Sequence, residues 1–182
     1  MIMLTFTAAS RSRPTVGARI RTLSVRIWND APVSAGELKQ AFAVAGDIFL
    51  RAGVNAVWEI CPQKGHLCVD QIPEPVLTLK IVGPRHEQYI ANHERMGVAV
   101  PASRVAYLLF TSIRDSAFAS VTGFPTALAY VMVHETGHLL GLKHNWRGIM
   151  EPDFNGLTGL KARTLELGFE DDEARMIRSH LP

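Results

Sequence analysis

One eleven-residue segment, HETGHLLGLKH at 134–144, constrains this chain more than any other. His134 and His138 are four residues apart, so on a helix both imidazoles lie on one face and can reach a single ion. Glu135 points to the side, where its carboxylate can reach a water molecule on that ion. Gly141 can adopt the left-handed conformation that ends a helix, and His144 can then turn back towards the same ion.

The residue types in this segment indicate catalytic rather than structural metal chemistry. Three neutral imidazoles leave a fourth coordination position for water, as in catalytic zinc sites. A random chain of this composition would contain the full pattern about 0.00004 times. An apolar core helix with surface histidines is the alternative, but it gives no reason for Glu135. We therefore expect a Zn2+ ion held by His134, His138 and His144, with Glu135 as the catalytic residue.

Length and composition predict one globular domain over residues 1–182, with residues 1–19 as a flexible or loosely packed N-terminal segment. The chain is 47% hydrophobic and 20% charged, which is enough to bury a core. Its net charge is only +2 and no basic run accompanies it, so a nucleic-acid partner is not expected. The apolar runs are too short for a membrane span. We expect a monomer, and a solvated tail for Arg11, Arg13, Arg19 and Arg21.

The apolar periodicity predicts an α/β (α+β mixed) fold with a mixed sheet of about five strands and helices packed on it. The predicted strands span 20–29, 54–60, 76–82, 97–100 and 104–112. The predicted helices span 34–52, a segment from Gly123 and Pro125 to about 140, and 170–181. Ser34 followed by Glu37 is a capping-box pattern. Residues 83–95 and 145–168 are expected to be irregular.

The two cysteines, Cys61 and Cys68, leave two states open. They can close a small disulfide loop outside the cytosol or remain free thiols in a reducing compartment. A metal knuckle that includes His66 fits no common zinc spacing. The remaining histidines are expected at the surface or in loops: His66, His86, His93 and His180. The tryptophans are expected in the core or in an interface: Trp28, Trp58 and Trp146.

The segment 134–144 matches the extended zinc motif of the metzincin metallopeptidases, and the chain resembles this family in a second motif. Residues 148–152, Gly-Ile-Met-Glu-Pro, are similar to the family's Met-turn. The resemblance implies a zincin fold with a twisted mixed sheet, an edge strand, a long active-site helix and a C-terminal helix. It also implies that Met150 packs as a hydrophobic floor beneath the zinc ligands.

The resemblance further implies a zinc-dependent endopeptidase that acts on peptide or protein substrates. Glu135 would act as general base on a metal-activated water and then as general acid. The edge strand 97–100 would bind substrate as an added strand, with Asp153 and Phe154 lining a pocket beyond the scissile bond. The family and the cysteine pair favour a secreted or periplasmic protein. The first ten residues are apolar but lack a basic start, so we expect a frayed terminus there.

Two departures from the family and two other functions remain open. Asn145 follows the third histidine instead of a residue that marks the better-known branches, and Pro152 occupies the place of a possible tyrosine ligand. A non-catalytic zinc-binding module would need the same histidines but not Glu135. A zinc hydrolase of a non-peptide amide, such as a cell-wall amide, would need all four residues. Substrate profiling separates the last function from a peptidase.

Overall fold

Runs of alternating or continuous apolar residues form five strands in the computed structural model, which describes residues 20–61, 68, 76–90, 95–164 and 167–182. The strands are β1 (Arg21–Asn29), β2 (Val54–Cys61), β3 (Val76–Val82), β4 (Gly97–Val100) and β5 (Val105–Leu109). The sequence predictions for residues 1–19, His66 and His93 lie outside the described residues. The predicted strand boundaries are confirmed to within one residue, apart from the end of β5.

The strands form one sheet in the order β2-β1-β3-β5-β4. The β1–β2, β1–β3 and β3–β5 pairs are parallel, whereas β4 pairs antiparallel with β5. The predicted mixed five-stranded sheet and the α/β class are therefore confirmed. Because β4 pairs with only one neighbour in this order, it is an edge strand, as expected for 97–100.

Seven helices accompany this sheet in the described part of the chain. They are α1 (Ala35–Arg51), α2 (Pro84–Glu87), α3 (Phe110–Arg114), α4 (Ala117–Thr122), α5 (Phe124–Leu139), α6 (Gly156–Arg163) and α7 (Asp171–Ser179). The predicted helices correspond to α1, α5 and α7. None of these helices is both long and apolar enough to span a bilayer.

Helix α1 covers the sheet with one apolar face and packs against α5. Its buried residues follow helical spacing, and they are Leu38, Ala41, Ala45, Ile48 and Phe49. The predicted capping box is present: Ser34 Oγ accepts from the Glu37 N–H at 3.2 Å, and the Ser34 N–H donates to Glu37 Oε2 at 2.8 Å. Helix α5 contacts β3, β4 and β5 as well as α1. The residues from Ala127 to Gly137 are buried on every side, which explains why its sequence is almost continuously apolar.

The predicted strand 104–112 ends early, because the chain turns into α3 at Phe110. Phe110 and Ile113, three residues apart, are both buried, which suits a helix better than an extended chain. The buried carboxylate of Glu87 accepts a hydrogen bond from the Thr111 N–H at 2.6 Å at the start of this helix. A distant residue therefore satisfies the helix terminus, and local sequence gives no sign of it.

The segments predicted to be irregular also contain helices. Residues 84–87 form α2, and Glu87 is buried there rather than on a surface excursion. In the segment 145–168, residues Gly156–Arg163 form α6. A Cβ on Gly159 would lie 3.2 Å from the Val121 Cβ, so this glycine lets α6 approach α4 closely. Glycines that permit such packing look like loop residues in the sequence.

Cys61 and Cys68 form a disulfide, which decides between the two states left open. Disulfides of this kind form in oxidising compartments. The bonded sulfurs are unavailable for metal coordination, although they lie near the Glu59 carboxylate.

Of the tryptophans, Trp58 stacks on Phe42 with ring centroids 5.4 Å apart. Trp28 is half-buried. Trp146 is 83% exposed, which excludes the core and leaves an interface as its predicted place.

The disulfide is expected to stabilise the fold because it lowers the conformational entropy of the unfolded chain. Replacement of both Cys61 and Cys68 by Ala should lower the free energy of unfolding by about 2 kcal/mol, the amount expected for closing so short a loop. Urea unfolding of the variant and of wild type, with and without reductant, measures this difference. Reduction should lower wild-type stability and leave the variant unchanged. Equal stability of all four samples would contradict the prediction.

Candidate metal centre

The last turns of α5 bring the first two histidines together. His134 is buried and His138 is half-buried, and their Nε2 atoms lie 3.0 Å apart. Helix α5 ends at Leu139, and Gly141 follows with φ +89°, as the sequence predicted. This turn carries the exposed His144 back to the pair. One ring nitrogen from each of the three histidines lies within 4.8 Å of the others, so the group could hold a metal ion.

Backbone carbonyls orient the first two rings. The Nδ1 of His134 lies 2.8 Å from the Ile149 carbonyl oxygen, and the Nδ1 of His138 lies 2.9 Å from the Leu142 carbonyl oxygen. Because a carbonyl oxygen only accepts hydrogen bonds, each Nδ1 carries the hydrogen. Each neutral ring then presents an Nε2 lone pair to the other. Two lone pairs at 3.0 Å repel each other unless a cation lies between them, so this donor set fits zinc.

Desolvation favours the neutral form of two of the three histidines, His134 and His144. It lowers the pKa of His134 to about 4, a shift that its hydrogen bond to Ile149 only partly offsets. The pKa of His144 is also lowered, first by desolvation and then by the charge of His138. Metal coordination requires neutral imidazole, so the surroundings favour the form that binds a metal.

The side chain of Glu135 extends from α5 towards the edge strand β4. It is only 5% exposed, and a Cβ on Gly97 of β4 would lie 2.5 Å from its Oε1. Burial raises the pKa of this carboxyl to about 7, while a hydrogen bond from the Ala99 backbone and the charge of Arg95 lower it. A carboxyl group with a pKa near neutrality can both accept and donate a proton, as general acid–base catalysis requires.

Met150 is fully buried in the segment that follows His144. A Cβ on Gly137 would lie 2.7 Å from its sulfur, so Met150 packs directly on the helix between His134 and His138. The Asn145 N–H donates to the Met150 carbonyl at 2.9 Å, which closes the loop that carries His144. The Met150 side chain therefore packs against α5 at Gly137, and its role as a hydrophobic floor stays a prediction.

The Ile149 peptide connects this loop to the rest of the fold. Its N–H donates to the Gly168 carbonyl at 2.9 Å, while its own carbonyl accepts from His134. Asn145 Nδ2 also lies 3.4 Å from Glu173 Oε1 on α7. The C-terminal segment thus fixes the peptide that orients the first histidine.

The three histidines and Glu135 face a cavity of about 790 Å3. This volume lies within the range of ligand-binding pockets. On the β4 side its wall consists of residues 95–99 and Pro101, and residues 152–154 also line it. Asp153 and Phe154 therefore line the cavity, as predicted, and the Phe154 ring packs edge-on against His134 with centroids 5.2 Å apart.

The four residues predicted from sequence thus lie together, and their roles stay predictions. His86 and His180 are exposed and lie outside this cluster. Sequence reasoning missed Gly97 and Arg95, since neither belongs to a motif, and only the pairing of β4 with the sheet brings them to Glu135. No protein-family profile and no curated protein matches the sequence.

Close packing of Met150 makes Gly137 sensitive to substitution. Gly→Ala inside a helix usually stabilises by up to about 1 kcal/mol. Gly137→Ala should instead destabilise by about 1–3 kcal/mol, because the new methyl group collides with the Met150 sulfur. Gly46→Ala on α1 is the matched control, since no atom lies within 4 Å of its Cβ position. Chemical denaturation measures both, and stabilisation by both substitutions would refute the packing.

Proposed function

We propose that the protein is a zinc-dependent endopeptidase of the metzincin type. In this proposal His134, His138 and His144 hold the Zn2+ ion, and Glu135 is the catalytic residue. The observation that carries the proposal is the convergence of three ring nitrogens beside a buried carboxylate at the next position in the helix. The open cavity above them supports a catalytic rather than a structural site.

In the proposed reaction, zinc supplies Lewis-acid chemistry that polarises the scissile carbonyl and acidifies a water molecule. Glu135 accepts a proton from the attacking water and then delivers it to the nitrogen of the leaving amine. The C–O bond to the water oxygen forms first, and the peptide C–N bond breaks once its nitrogen is protonated, so one water is consumed and one acid and one amine are released. Packing against Gly97 and the Ala99 backbone holds the Glu135 carboxylate in place for both transfers.

The edge strand supports a peptide as the substrate. β4 forms one wall of the cavity, and in the described sheet it pairs with β5 alone. An extended peptide can therefore pair with its free side and pass over the histidines. This arrangement presents one peptide bond to the site, and nothing comparable is needed for a small non-peptide amide. The buried Glu135 argues against a module that only binds zinc.

Two further observations support the family and a location outside the cytosol. Met150 packs against α5 at Gly137 in a manner similar to the floor that a Met-turn provides. The Cys61–Cys68 disulfide is compatible with the secreted or periplasmic protein that we propose.

Cleavage of a mixed-sequence quenched peptide library by the zinc-loaded protein tests the function. Wild type should cleave the library, and Glu135→Gln should retain zinc while losing activity by at least about 100-fold, because an amide cannot accept the proton. Asp47→Asn makes the same chemical change on the exposed face of α1 and should retain wild-type activity. Equal activity of Glu135→Gln and wild type would eliminate the proposed role of Glu135.

Gly97 gives a second test, which concerns the position of Glu135 rather than its chemistry. Gly97→Ala should retain zinc but lower kcat/KM by about 100-fold, because its methyl group would displace the carboxylate. Gly36→Ala is the control, since the nearest atom to its Cβ position is 4.0 Å away. Steady-state kinetics and zinc analysis of the two variants check this. Full activity of Gly97→Ala would mean that Glu135 does not act from its observed position.

A further inference from the structure

The cavity contains a cation that the proposed reaction does not use. Arg95 lines the wall on the β4 side and is exposed. Within the described part of the chain it forms no ion pair, whereas Arg26, Arg114 and Lys161 each pair with a glutamate. Because no carboxylate of the described residues pairs with Arg95, its guanidinium can bind a ligand in the cavity.

The position of Arg95 places it beside the reacting groups. It precedes Gly97 by two residues, and two residues of extended chain span at most about 7 Å. Gly97 itself lies against the Glu135 carboxylate. The positive charge of Arg95 acts on both Glu135 and His144, whereas the charge of Asp153, which also lines the cavity, acts on His144. Arg95 therefore lies on the side of the cavity where a peptide paired with β4 would pass.

The rest of this wall cannot bind a charged group with its side chains. Met96, Gly97, Val98, Ala99 and Pro101 offer only apolar surface and backbone atoms. In a cavity with such walls, a guanidinium binds a carboxylate through two parallel hydrogen bonds. A ligand with a neutral side chain beside Arg95 would leave the guanidinium with only water as a partner.

We propose that Arg95 binds a carboxylate of the peptide substrate, within about three residues of the scissile bond, a reach set by the extended strand. This inference rests on the proposed peptidase function and names its substrate class. The carboxylate has two sources with the same chemistry. It belongs either to an internal Asp or Glu side chain or to the C-terminal end of the peptide.

Binding of uncleaved peptides to the zinc-loaded Glu135→Gln protein tests this without turnover. The probes are a neutral peptide with an amidated C-terminus, the same peptide with one Glu at each successive position, and neutral peptides of decreasing length with a free carboxyl terminus. Fluorescence anisotropy should show about tenfold tighter binding for an acidic member, as one charge-assisted pair provides. Tighter binding of the peptides with an internal Glu, or of those with a free C-terminus, identifies the source of the carboxylate.

A second substitution in the same background assigns the preference to one residue. Arg95→Ala should abolish the tenfold advantage while leaving the Kd of the neutral amidated peptide unchanged. Arg147→Ala is the matched control, since Arg147 is an exposed arginine on the loop after His144 that does not line the cavity. It should retain the advantage. The same peptides should show the same order of kcat/KM with the protein that retains Glu135.

The outcomes separate this inference from the proposed function. If neutral peptides are cleaved and acidic members gain no affinity, Arg95 does not bind the substrate and the peptidase proposal stands. If acidic peptides still bind more tightly than neutral ones after Arg95→Ala, Arg95 again does not bind the substrate and the peptidase proposal again stands. If no peptide is cleaved but acidic peptides still bind in an Arg95-dependent manner, the carboxylate site stands and the peptidase proposal fails.

Discussion

The hydrogen bond from His134 Nδ1 to the Ile149 carbonyl is the contact on which the site depends. It fixes the tautomer of a buried imidazole and directs its Nε2 towards His138. The Ile149 peptide is fixed in turn by Gly168, so the C-terminal part of the chain orients a residue on the central helix. Because the loop that carries Ile149 also carries His144, the same contact draws the third histidine into the cluster.

Two glycines allow the surrounding elements to approach this centre. Gly137 lets Met150 pack against α5 between the first two histidines, and Gly97 lets β4 approach the Glu135 carboxylate. In each case a methyl group would lie within 3 Å of a side chain that the site needs. The positions of Met150 and Glu135 thus depend on two residues without a side chain, Gly137 on α5 and Gly97 on β4.

The sequence predicted the elements with strong periodicity and the residues that belong to one local pattern. The three histidines, Glu135 and the turn at Gly141 lie within one helix and its end, so their spacing alone places them together. It missed α3 and α6, because a distant carboxylate caps the first and close packing against α4 requires glycine in the second. Arg95 and Gly97 reach the site only through the pairing of β4 with β5, which no local spacing reveals.

In the proposed site three histidines hold one zinc ion. The most direct test is a crystal structure of the zinc-loaded protein with anomalous diffraction data collected on both sides of the zinc absorption edge. We expect one anomalous peak per chain, bonded to a nitrogen of His134, His138 and His144, with Glu135 beside it but not coordinated. A peak elsewhere, or one that omits any of the three histidines, would contradict the proposed metal site.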